Sequence, residues 1–106
     1  MPSLAFPPDF RISKFKSTNV SVGATAVQVD TAANIAGLEA FVWITLYNNH
    51  ATQIIYLGAD NTVTTANGFP LQPGETQIIP ATDAPSFDLW AIANGAATDL
   101  RVMFSK

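Results

Sequence analysis

The sequence predicts an all-β fold: a compact antiparallel β-sandwich or jelly-roll-like barrel of about seven or eight short strands, with an extended N-terminal arm. Two observations predict it. Short runs rich in β-branched and aromatic residues recur along the chain, each bounded by Gly, Pro, Asn or Asp. One stretch alone, TAANIAGLEA from Thr31 to Ala40, tolerates helix, and its brevity and Gly37 reduce it to a loop with at most one turn.

Residues 1–18 read as the arm, and residues 19–106 as the sandwich. Pro2, Pro7 and Pro8 deny the arm a regular helix and remove three backbone donors. Its apolar residues, Leu4, Phe6, Phe10, Ile12 and Phe15, set it apart from a polar disordered tail. Phe10 and Ile12 alternate with Arg11 and Ser13, as a short extended piece would. Such an arm either folds back on its own domain or lies on a neighbouring subunit. Proline-stiffened segments lose little entropy on docking, and aromatics anchor them. The candidate partner-binding residues are therefore Phe6, Phe10, Arg11, Ile12, Lys14, Phe15 and Lys16. Arg11, Lys14 and Lys16 are three of five basic residues. They either form a solvated tail or pair with an acidic partner surface.

The stretch VSVGATAVQVD, ending at Asp30, alternates as a strand or hairpin, with Gly23 marking a bulge or turn. FVWITLYN, from Phe41 to Asn48, is apolar on both faces and reads as a central strand. Asn48-Asn49-His50 then turns, and Thr52 to Leu57 is expected to return as its partner. Ile54 to Glu75 holds two turn signals. Asn67-Gly68 is expected to supply positive backbone dihedrals, and Pro73-Gly74 a second turn. Glu75 to Pro80 is a short strand closed by proline. FDLWAIA (Phe87 to Ala93) and DLRVMFS (Asp99 to Ser105) alternate on either side of Asn94-Gly95.

One hundred and six residues make one domain, large enough for a single core. The 12% charged content is about half the usual share, while 48% is hydrophobic. No run of eighteen apolar residues exists to cross a membrane as a helix. A surface partly covered by copies of the chain or by a partner accounts for that balance. A net charge of −3 gives the whole molecule no attraction for nucleic acid. The N-terminus lacks the pattern of a signal peptide, so synthesis in a cytoplasm is expected. With no cysteine, disulfide and thiolate chemistry are excluded.

Chemistry finds little to stand on. His50 is the one histidine, placed in a turn, so neither a nucleophile–base pair nor a zinc site can be assembled around it. The acids sit mostly in turns, where they bond backbone rather than form a glycosidase pair. Gly58 to Thr62 could offer oxygen ligands to calcium, with a single acid. No catalytic, metal or cofactor residue is expected. Trp43, Tyr47, Tyr56 and Trp90 belong either to the core or an interface, or to a sugar-stacking platform; Trp43 and Tyr47 share parity on one strand.

The ordered run YLGADNTVTTANGFPLQPGE, followed by FDLWAIANGAATDLRVMF, resembles small virion structural proteins of tailed bacteriophages. The matching positions are Tyr56-Leu57-Gly58, Val63-Thr64-Thr65, Asn67 to Leu71, Pro73-Gly74-Glu75, Asp88 to Ile92 and Arg101-Val102. The resemblance covers residues 20–105 and leaves out the arm. It implies a non-enzymatic virion protein, a capsid decoration (cement) protein on the capsid surface. Its expected partners are itself, as a homotrimer or homodimer, and the major capsid protein or another virion protein, with no nucleic acid and no membrane. A carbohydrate- or receptor-binding module, or a minor tail or neck component, is the alternative.

Overall fold

The computed structural model describes residues 14–39, 43–81 and 88–106. Among them are eight strands and no helix: β1 (Phe15–Val22), β2 (Val27–Gln28), β3 (Trp43–Asn48), β4 (Ile55–Gly58), β5 (Phe69–Leu71), β6 (Thr76–Pro80), β7 (Trp90–Ala93) and β8 (Thr98–Ser105). They form two four-stranded antiparallel sheets, β1-β8-β3-β6 and β2-β7-β4-β5. The expected β-sandwich is thus observed.

The strand order has a simple logic. β1 pairs with β8, β2 with β7, β3 with β6 and β4 with β5. Each strand meets its mirror image in chain order, as in one long hairpin with its tip between β4 and β5. Rolling that hairpin sends alternate pairs to opposite sheets. The contacts β3–β8 and β4–β7 then zip each sheet shut. This is the arrangement of a jelly roll.

Alternation along each strand decides what faces inward. β8 turns Leu100, Val102 and Phe104 into the sandwich. β3 adds Ile44 and Leu46, and the opposite sheet adds Ile55, Leu57, Leu71, Ala91 and Ala93. Each large aliphatic or aromatic side chain withdrawn this way contributes about 2 kcal/mol. β3 is flanked by β8 and β6, the central position its two-sided apolar pattern predicts.

Several sequence expectations change here. β4 does not return beside β3: the chain crosses to the other sheet between them. Asn48 directs that crossing. Its buried side-chain amide donates to Gln53 O at 2.8 Å and Leu71 O at 2.9 Å, and its Oδ1 accepts from His50 N at 3.1 Å. Nor do β1 and β2 form a hairpin, since they too lie in opposite sheets. Gly68 does not have a positive φ. Its Cβ would fall 2.6 Å from Tyr56 Cβ, so close approach is what requires glycine there. Pro73-Gly74 does behave as expected: Gly74 has φ +76°, and Glu75 N donates to Gln72 O at 2.9 Å, as in a type II turn.

The boundary expected at residue 18 falls inside β1. Phe15 to Thr18 pair with Ser105 to Val102, so those four residues are part of the sandwich. The reciprocal bonds between Lys14 and Lys106, both 2.9 Å, carry the ladder one residue further. The expected arm residues Phe6, Phe10, Arg11 and Ile12 lie outside the described residues.

Candidate interaction face

Register across β1-β8-β3-β6 fixes what its outer face displays. One row reads Phe15, Ser105, Trp43, Pro80; the next reads Ser17, Met103, Thr45, Ile78; a third reads Asn19, Arg101, Tyr47, Thr76. The first two rows put at least one apolar residue on each of the four strands (Phe15, Met103, Trp43, Pro80 and Ile78), interleaved with Ser17, Thr45 and a buried Ser105. Phe15 is 67% exposed, Ile78 56%, and Trp43 and Tyr47 38% each. Four of the five large hydrophobic residues exposed among the described residues lie on this face; Phe69 is the exception. Four large exposed hydrophobic residues gathered on one sheet face are more than the scattered apolar exposure of an ordinary surface.

The face is shallow. A depression of about 240 Å³ runs between Ser17, Thr45, Tyr47, Arg101 and Met103. Ligand pockets of drug size are larger and more enclosed. Such a surface suits a flat or extended partner. Its charge is confined to the third row and beyond, where Arg101 Nε contacts Asp99 Oδ2 at 2.9 Å. Asn49 Nδ2 donates to the same oxygen at 3.0 Å. The Asn49 amide and the Arg101 guanidinium together hold the Asp99 carboxyl below its usual range.

The described arm residues are now placed. Phe15 opens the first row. Lys14 is exposed at the end of the ladder. Lys16 has turned the other way: its Nζ donates to Ala33 O at 3.2 Å and Ala36 O at 3.1 Å, closing the turn of residues 32–37. It is thereby engaged within the fold. Ile78 and Met103 were not singled out from the sequence, because only cross-strand register brings them beside Phe15 and Trp43.

The four-ring sugar platform is not formed. Trp43 and Tyr47 share the outer face of one sheet, as their parity predicts. Tyr56 and Trp90 belong to β4 and β7, on the opposite sheet. Three further carboxylates serve the backbone. Asp30 Oδ1 accepts from Leu89 N at 3.1 Å, Glu75 Oε1 from Gln72 N at 2.7 Å, and Asp60 Oδ1 from Thr62 N at 2.9 Å. The Thr62 hydroxyl and N–H depress the Asp60 pKa. His50 Nδ1 accepts from Thr52 N at 3.1 Å and Gln53 N at 2.9 Å, ordering its own turn. Among the described residues no group of three or more His, Asp or Glu could hold a metal ion. Nor is any of their helices long and apolar enough to cross a membrane.

No protein-family model matches the chain, and no curated protein sequence matches it. One similar solved chain belongs to the Bacillus endospore appendages, described as a novel family of disulfide-linked pili. It is 10% identical, with a TM-score of 0.46 over 98% of each chain. A likeness that remote carries no functional argument.

Proposed function

We propose that this chain is a non-enzymatic structural protein of a bacteriophage particle, a capsid decoration (cement) protein that works as an oligomer on the capsid surface. The carrying observation is the apolar outer face of β1-β8-β3-β6, with Phe15, Trp43 and Ile78 exposed on three different strands. The ordered resemblance to virion proteins from Tyr56 to Val102 supports the same reading. So does the use of Asp30, Asp60, Glu75 and His50 as backbone partners.

The mechanism is mechanical. A sandwich presents its outer face already ordered, so little entropy is lost when that face is covered. Burying it adds free energy at each contact. Repetition over a shell multiplies weak contacts into a stable lattice, which opposes the outward pressure of packaged DNA.

Sedimentation tests it directly. The purified chain should run as an oligomer and should pellet with empty phage shells. Trp43→Ser combined with Ile78→Lys should lose both behaviours while keeping a β-sheet circular dichroism spectrum. A wild-type protein that leaves shells bare would remove the virion reading.

A further inference from the structure

We infer that Asn94 is a modification site, cyclised onto the Gly95 nitrogen and hydrolysed to aspartate or isoaspartate, while Asn67-Gly68 is shielded by the fold. This is independent of the virion reading and needs no partner.

Of the asparagines in the chain, only Asn67 and Asn94 precede glycine. Glycine matters because a Cβ on the following residue would crowd its nitrogen as it turns onto the asparagine side chain. The two sites match in exposure: each asparagine is exposed and each glycine half-buried. Hydrogen bonding separates them.

At Asn67 every reacting group is held. Gly68 N donates to Thr64 O at 2.9 Å, so the nucleophilic nitrogen is engaged. Asn67 Oδ1 accepts from Thr64 N at 2.7 Å, and Nδ2 donates to Thr62 O at 3.4 Å. Tyr56 Cβ, Val63 Cγ2 and Thr64 O crowd Gly68, which leaves its backbone little room to rotate.

At Asn94 the nitrogen is free. Among the described residues no acceptor bonds the N–H of Gly95, Ala96 or Ala97. The atoms crowding Gly95 belong to the end of the Gln53 side chain, which can swing aside. The Asn94 side chain keeps one bond, with Ile54 N donating to Oδ1 at 2.9 Å. That bond favours reaction. It draws electron density from Cγ and stabilises the oxygen as Cγ becomes tetrahedral.

The steps balance without any reagent but water. Gly95 N loses its proton to solvent base and bonds to Asn94 Cγ. The Cγ–Nδ2 bond breaks, and ammonia leaves. Water then opens the cyclic imide at either carbonyl. One opening leaves aspartate. The other leaves isoaspartate, whose main chain runs through Cγ and is lengthened by a carbon between β7 and β8. Either product carries a new negative charge.

Peptide mapping of the full-length protein tests this. The protein is held at mildly alkaline pH, folded in one arm and in concentrated guanidinium chloride in the other. Both are then cleaved with chymotrypsin and read by tandem mass spectrometry. In the folded arm, conversion of amide to acid should be at least about tenfold faster at Asn94 than at Asn67, which has two more hydrogen bonds to open. Unfolded, the two sites share a dipeptide and should react at similar rates. Conversion at Asn67 that matches or exceeds Asn94 in the folded arm would overturn the inference. So would a preference that persists in guanidinium, or an Asn94 that stays intact when folded over the time in which the unfolded chain reacts.

Discussion

Asn48 shows how much of this fold hangs on a single polar side chain. It ends β3 and is fully buried. Its amide donates to two carbonyls, on Gln53 and Leu71, which belong to the crossing loop and to β5. Leucine at this position fills similar space but donates nothing. Asn48→Leu removes three hydrogen bonds at once, and each contributes about 1 kcal/mol. The expected loss is about 3 kcal/mol, read as a lower urea midpoint at unchanged m-value. The carboxylates give a second residue-scale prediction. Glu39, held by backbone N–H groups including that of Gly37, Asp60, held by Thr62, and Asp99, held first by Asn49, all have lowered pKa values. A depressed carboxylate stabilises the fold fully above its unfolded value and loses that effect as pH falls through its folded value. The melting temperature should therefore be flat from pH 7 to about 5 and decline below about pH 4. A decline already present between pH 7 and 5 would contradict this assignment.

At the scale of elements, the loop between β4 and β5 is held by close approach. Val63 is buried, and a Cβ on Gly58 would sit 2.5 Å from Val63 Cβ. Gly58→Ala should cost about 2 kcal/mol through overpacking. The clash falls on Val63 Cβ as well as on Cγ2, at 2.6 Å, so Val63→Ala, which removes only the γ-carbons, should restore no more than part of the loss. A double variant as stable as Val63→Ala alone would show that the γ-carbons were wholly responsible. That loop and the turn after β5 show what a sequence discloses. Pro73-Gly74 was legible because its chemistry is local to four residues. Asn67-Gly68 announced a glycine requirement but not its cause, since Tyr56 and Val63 arrive from elsewhere in the chain. Strand β3 was legible from its apolar pattern, yet its partners were not, because β6 and β8 are chosen by the roll of the whole hairpin. The interaction face was half visible for the same reason. Trp43 and Tyr47 share parity on one strand, whereas Ile78 and Met103 join them only through register.

At the scale of the whole molecule, the first and last strands are neighbours. β1 and β8 pair over eight residues, from Phe15 with Ser105 to Val22 with Thr98. Two truncations only five residues apart should therefore behave very differently. Removing residues 1–13 leaves β1 whole, so the melting temperature should move by no more than a few degrees. Removing residues 1–18 deletes half of β1. It strips the partners from Val102 to Ser105 and leaves β8 as a raw edge beside Trp43. An unpaired, apolar edge strand recruits other chains, so this shorter protein should aggregate or unfold without a sharp transition. Differential scanning calorimetry and light scattering on the two truncations decide the matter. Equal stability of both would mean that β1 contributes little and that the arm extends to residue 18. A sharp transition in the first alone would place the start of the folded body at Lys14, where the ladder with Lys106 begins.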